Sequence, residues 1–254
     1  MLTSTQRMFG DGGVSLGPFV KLSDPAVVEI LALAGFDHVV IDREHGPLSL
    51  ESVETLVRAA ELRGIVPFVR VPRNEASEIL RVLDVGAVGV HIPHVSTADD
   101  AKRAVEACRF HPRGERGVCR FVRAAGYSSI PAADHFAAAN LKTIAVIQVE
   151  GVSGLSNLPD ILSVPGVDVV FLGPYDLSQA CGVPGEIHHP KVTKRMQTAV
   201  RDAREAGIVV GTFVESADDA RLWIELGVQY ICYSVDVGIL WSAAKEIPDK
   251  VRRQ

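Results

Sequence analysis

The chain has 254 residues and a mass of 27.3 kDa; 47% are hydrophobic, 22% are charged, and 26 Lys+Arg against 31 Asp+Glu give a formal net charge of -5. That composition excludes a disordered chain, and the length supports a core without disulfides or a structural metal. No apolar stretch nears the ~18 residues of a membrane-spanning helix, and a pI of ≈ 5.9 disfavours general nucleic-acid binding. The opening MLTSTQRMFGDGG lacks the apolar core of a secretory signal. Cys108, Cys119, Cys181 and Cys232 are scattered without CxxC spacing. They read as reduced packing thiols in a cytoplasmic protein without membrane or nucleic-acid partners.

Along the chain, short runs rich in Val and Ile alternate with segments of helical period. The spacing predicts strands at Val14–Val20, His38–Asp42, Val66–Arg70, Val88–Ile92, Thr143–Val149, Asp168–Gly173, Ile208–Thr212 and Gln229–Ser234. Between them it predicts helices at Pro25–Ala34, Leu50–Arg63, Glu75–Asp84, Thr97–Arg109, Leu155–Leu162, Pro190–Ala206 and Ser216–Leu226, with a last one from about Val237. End signals support several: Asp24 precedes Pro25, and Ser216 opens an acidic first turn. Strand then helix, eight times, is the pattern of a (β/α)8 TIM barrel, here a single barrel domain over residues 1–254. A doubly wound open sheet is the runner-up, but no GxGxxG or GxxxxGK[ST] occurs. One connection, Phe110–Lys142, is too long to be structureless. This 110–142 insert, between helix 4 and strand 5, is expected to contain a short helix near Ala132–Asn140 and to cap the active face.

Chemistry in such a barrel belongs at the carboxyl ends of the strands. Those positions hold Asp42-Arg43-Glu44-His45, Arg70, His91 with His94, Gln148 with Glu150, Asp176, Glu215 and Asp236. Glu150 and Asp176 follow adjacent strands and could share Mg2+ or Mn2+; separate salt bridges or helix caps would explain them equally. His45 could be a general base oriented by Asp42, or a loop histidine beside an N-cap. Arg70 could hold an anionic oxygen, or pair with Glu44 or Asp42. His91 and His94 could be metal ligands, although His-x-x-His at a strand end points in mixed directions. Arg109, Arg113, Arg116, Arg120 and Arg123 suit a subunit contact, a solvated loop or a substrate's distal anion.

These pieces together are similar to a known family. AGFDHVVIDREHGP (34–47), PFVRVP (67–72), LDVGAVGVHIPHV (83–95), PRGERGV (112–118), IQVEG (147–151), GVDVVFLGPYDLS (166–178) and SVD (234–236) resemble, in order, the metal-dependent pyruvate aldolases of the HpcH/HpaI group. The resemblance implies a phosphoenolpyruvate/pyruvate-binding type of barrel and reversible retro-aldol cleavage of a 4-hydroxy-2-oxo acid to pyruvate and an aldehyde. It implies that Glu150 and Asp176 hold the divalent metal, Mg2+ or Mn2+ with Co2+ and Zn2+ as further candidates. Gln148, Gly173, Pro174, Tyr175 and Asp176 would line the oxo acid, with backbone N–H groups of 173–176 on its carboxylate. Arg70 would neutralise the enolate oxygen. His45, with Asp42 and Asp84, would manage the proton of the 4-hydroxyl. The family also implies a homo-oligomer, a hexamer or trimer of dimers, with Leu240 and Trp241 of the last helix on a neighbour.

The chain departs from better-known members at Phe19-Val20-Lys21, Arg43, His91, His94 and Tyr175, which leaves the aldehyde pocket open. Alternatives to the metal aldolase are a CoA-thioester lyase using the 109–123 arginines, a Schiff-base aldolase on Lys21, and a non-catalytic oxo-acid-binding barrel.

Overall fold

The computed structural model describes residues 2–252, with Asp11 described by its backbone alone, so Met1, Arg253 and Gln254 of the expected 1–254 span lie outside the described residues. Helix α1 (Ser4–Phe9) precedes β1 (Ser15–Val20), α2 (Pro25–Leu33), β2 (His38–Asp42), α3 (Leu50–Arg63) and β3 (Val66–Arg70). Then come α4 (Ala76–Asp84), β4 (Gly89–Ile92), α5 (Ala98–Cys108), α6 (Ala132–Lys142) and β5 (Ile144–Val149). Next are α7 (Val152–Ser156), α8 (Leu158–Leu162), β6 (Val169–Leu172), α9 (Pro174–Ala180), α10 (Pro190–Glu205) and β7 (Val209–Val214). The chain closes with α11 (Ala217–Glu225), β8 (Tyr230–Val235) and α12 (Asp236–Arg252). All neighbouring strands pair in parallel, and β8 returns to β1 to close the barrel. The TIM barrel read from the sequence is therefore the fold. Among the described residues no helix is long and apolar enough to cross a membrane.

The strands are apolar throughout because both faces are covered. In β2, Val39 and Ile41 face the helices, while Val40 faces the barrel interior with Phe68, Val146, Phe171 and Tyr230. That interior also encloses two histidines. His38 stacks on Tyr230 at 4.4 Å between ring centroids and meets Ser15 Oγ at 2.7 Å. His91 Nε2 meets the Tyr230 hydroxyl at 2.8 Å. Burial holds both rings neutral, pushing His38 down to about 3 and His91 well below its usual value, with the Arg70 charge adding to the effect on His91.

Four details differ from expectation. The opening segment forms α1, whose Phe9 closes the lower end of the barrel edge-on to Tyr230 at 5.9 Å. The expected helix at 155–162 is two short ones, α7 and α8, because Pro159 lacks the N–H that would continue the first. The segment after β6, which the sequence pattern leaves unassigned, is α9, started by Pro174 at its first position. Finally, the 110–142 insert leaves α5 and re-enters at β5, both at the amino-terminal ends of the strands. It contains the expected helix, α6, but it covers the lower rim and does not cap the active face.

The insert's arginines explain that placement. Arg109 donates to Thr143 O at 2.8 Å and to Asp168 Oδ2 at 2.6 Å, just ahead of β6. Arg116 donates to Asp84 Oδ1 at 2.7 Å and lies over the Phe110 ring at 4.5 Å. Arg123 reaches Glu61 and the Val85 carbonyl. These side chains fasten the insert to the barrel and do not approach the mouth, so they recognise no distal anion there.

Candidate active site

At the mouth, a cavity of about 350 Å3 is lined by Asp42, His45, Arg70, Gln148, Gly173 and Asp176, with Phe19, Phe213, Tyr175 and Val235 among its walls. Phe19 reaches it through an irregular first strand: the β1–β8 register shifts between Gly17 and Phe19 at Pro18, which has no N–H to give the ladder. Gly17 is required there, since a Cβ would stand 1.9 Å from the His38 carbonyl oxygen. Phe213 reaches the cavity because β7 runs two residues further than its apolar run suggests, to Val214.

Asp42 and Arg70 end the hydrogen-bonded neighbours β2 and β3 in direct register. Arg70 donates through Nε to Asp42 Oδ1 at 2.9 Å and through Nη2 to Oδ2 at 2.8 Å, a planar bidentate pair. Its guanidinium also lies 4.5 Å over the Phe19 ring. Burial pushes the Asp42 carboxyl up, but the Arg70 hydrogen bonds and charge outweigh this and hold it below its ordinary range. Asp42 orients Arg70, then, and not the His45 ring: from His45 it accepts the backbone N–H alone, at 3.2 Å, alongside the Glu44 N–H at 3.1 Å. The His45 ring is exposed at the mouth, with Nε2 4.0 Å from Glu44 Oε2. Asp84 is a second departure. It ends α4, on the lower rim, and is paired with Arg116, so within one chain it does not meet His45.

Glu150 is buried beyond β5. His94 N–H donates to its Oε1 at 2.9 Å, and Gln148 Nε2 donates to its Oε2. Across a narrow gap stands Asp176, in the first turn of α9. A Cβ on Gly173 would lie 3.3 Å from Glu150 Oε2 and 3.9 Å from Asp176 Oδ2. The absent side chain thus leaves open the space that both oxygens border. Oxygen donors around a small gap fit a hard divalent cation. Among the described residues the buried Gln148 Oε1 finds no hydrogen-bond partner, nor does Nδ1 of the neighbouring His91.

The two mouth histidines separate. His91 points into the barrel and is fully buried, a packing residue and not a ligand. His94 lies in the loop with a left-handed backbone, φ 58, and its ring reaches both Glu150 and Glu44. Glu44 itself, read from the sequence only as a partner for Arg70, is a buried carboxylate. Burial raises it, and despite the Arg70 charge the nearby Glu150 helps keep it up at about 7. Its D-x-E-H setting was the available signal. Arg43 leaves the cavity free, since it turns to Glu78 on α4 at 2.7 Å. Tyr175 donates to Glu215 Oε2 at 2.7 Å, and burial together with that carboxylate pushes its hydroxyl up to about 12. Lys21 Nζ sits 3.7 Å from Asp42 Oδ2, held by Asp236, which accepts the Lys21 and Leu22 N–H groups.

Comparison with known proteins gives the chain its family. The HpcH/HpaI aldolase/citrate lyase family model matches residues 15–243. The chain is 35% identical over 240 residues to 5-keto-4-deoxy-D-glucarate aldolase of Citrobacter koseri, covering 94% of this chain and 93% of the relative. It superposes on an HpcH/HpaI aldolase/citrate lyase family protein from Burkholderia cenocepacia with a TM-score of 0.93 at 34% identity, covering 98% of each chain. An HpcH/HpaI aldolase from Desulfitobacterium hafniense gives a TM-score of 0.93 at 29% identity, over 99% of this chain and 98% of that one. With fold, strand-end chemistry and relatives in agreement, this chain belongs to the HpcH/HpaI aldolase/citrate lyase family and is a carbon–carbon lyase.

Proposed function

We propose that the chain is a divalent-metal-dependent class II aldolase that reversibly cleaves a 4-hydroxy-2-oxo acid to pyruvate and an aldehyde. The observation that carries this reading is the open gap over Gly173 between Glu150 and Asp176, facing a cavity that also holds Arg70 and His45. Glu150 and Asp176 would hold the ion, Mg2+ or Mn2+ by their all-oxygen chemistry. When bound, that ion supplies Lewis-acid polarisation of the substrate's 2-oxo group.

The other roles fall to the chain itself. The first-turn N–H groups of α9 at Tyr175 and Asp176 lack intrahelical acceptors and suit a carboxylate oxygen. Arg70, fixed by Asp42, stabilises charge growing on the enolate oxygen. His45 Nε2 takes the proton of the 4-hydroxyl, the C3–C4 bond breaks, and the aldehyde leaves against Phe213, Tyr175 and Val235. Gln148 steadies Glu150. Because the Citrobacter koseri relative is a 5-keto-4-deoxy-D-glucarate aldolase, a hydroxy-oxo diacid is the first substrate to try. The arginines that would serve a CoA thioester lie on the lower rim, which favours a free oxo acid.

We place the enzyme in the cytoplasm, in keeping with its free cysteines. We also propose a homo-oligomer, a hexamer or trimer of dimers, because Leu240 and Trp241 on α12 are exposed; light scattering tests it. Pyruvate release should stop with EDTA and return with Mn2+ or Mg2+, and His45→Ala should slow it about 10²–10⁴-fold. Undiminished cleavage by the chelated enzyme would overturn the proposal.

A further inference from the structure

Beside the oxygen-lined gap stands a second set of ligand atoms. His94 Nδ1 lies 2.8 Å from Glu150 Oε1, and Nε2 lies 3.0 Å from Glu44 Oε1. One ligand atom from each of Glu44, His94 and Glu150 lies within 4.8 Å of the others, and Asp176 is not among them. Glu44 is held in place from below: its side chain is only 7% exposed, with Arg70 Nη1 3.1 Å from Oε2. That contact is a charge contact alone, because Oε2 has no partner in hydrogen-bond geometry among the described residues. His94 is 67% exposed on its side chain, so the group opens to solvent on one side and is rigid on the other. The mouth as a whole holds more acid than base, with Asp42, Glu44, Glu150 and Asp176 facing Lys21 and Arg70. That excess of acid favours a cation at this point.

We propose that Glu44, His94 and Glu150 form a cation position of their own, separate from the gap between Glu150 and Asp176, and that it takes nitrogen-preferring ions such as Zn2+ and Co2+. One imidazole and two carboxylates suit these ions, whereas the oxygen-only gap suits Mg2+ and Mn2+. The inference rests on the proposed function only in that the two positions share Glu150. They share it through different atoms, with Glu150 Oε1 toward His94 and Oε2 toward the gap, so ions at the two positions would bridge one carboxylate and repel each other. The identity of the ion thus selects where it sits, and Zn2+ competes with Mn2+ although Glu150 is the one residue their ligand sets have in common.

The test is metal binding by the full chain, with each metal alone. Zn2+ affinity is read by competition with a chromophoric chelator, Co2+ by its visible absorption, and Mn2+ by electron paramagnetic resonance. His94→Gln should weaken Zn2+ at least about 10-fold and change the Co2+ spectrum while leaving Mn2+ binding within twofold. Asp176→Asn should do the reverse, and circular dichroism should show both variants folded. Glu44→Gln should follow His94→Gln. An unchanged Zn2+ affinity and Co2+ spectrum in His94→Gln, or an equal loss of Zn2+ in Asp176→Asn, would overturn the proposal. Mn2+ binding that survives Asp176→Asn would instead overturn the assignment of the oxygen-only gap and leave the His94 result standing.

Discussion

The two ends of the barrel use the same residue types to opposite effect. At the lower rim, two buried arginines meet their acids, Arg109 with Asp168 and Arg116 with Asp84, and Thr5 Oγ1 donates to the other Asp168 oxygen at 2.9 Å. Phe9 closes the lower end of the barrel interior against Tyr230. At the mouth, Arg70 and Asp42 are paired, but Glu44 Oε2 and Gln148 Oε1 are buried without hydrogen-bond partners, and Gly173 leaves a gap beside Glu150 and Asp176. Ion pairs that close hold a fold together. Polar groups kept short of partners are a cost in stability that is recovered when a ligand arrives.

That contrast can be broken by experiment. The largest effect belongs to Asp176→Asn. It should weaken Mn2+ binding by more than about 100-fold, the upper cost of losing even an outer-shell partner, with the thermal midpoint unchanged because Asp176 is exposed. A fall in the midpoint would mean that the residue is structural. Next is Arg70→Ala, which spans both roles. It should cut kcat/KM about 10²–10³-fold and also cost about 3–5 kcal/mol in urea unfolding, since Asp42 is left buried and unpaired.

Arg109→Ala isolates the lower rim. Removing one member of this largely buried pair should cost roughly 3 kcal/mol while kcat stays within twofold; a large kcat loss would mean that the rims are coupled.

The smallest effect comes from the barrel interior. His38 is neutral in the fold down to about 3, whereas the unfolded ring binds a proton below about 6.5. The unfolded state therefore holds more protons in that window, and stability present above pH 6.5 is lost as the pH falls. At pH 5.5 the loss is about 1.4 kcal/mol for this ring, and His38→Gln should flatten the slope of stability against pH between 7.5 and 5.5.

Much of this molecule is legible from its residues in order. The eight apolar runs mark the strands to within two residues, because a strand buried on both faces has no polar alternation to blur it. Carboxylates and an arginine just past those runs mark the mouth. The sequence does not show α9, which is too short for a helical period to develop, or the role of the 110–142 insert, whose arginines look alike whether they bind a ligand or the barrel. Nor does it separate His91 from His94. They are three residues apart, yet one extended strand residue faces inward while the other turns outward in a left-handed loop.

The order of residues by itself determined the barrel, its family and the chemical types gathered at the strand ends, since pattern and composition are local properties. Only the tertiary structure decided which atoms meet. It gave Asp42 to Arg70 and not to the His45 ring, sent Asp84 to the far rim, and brought Glu44 and His94 to Glu150. Those meetings depend on register, helix direction and side-chain reach across strands that are distant in sequence, and packing alone sets them.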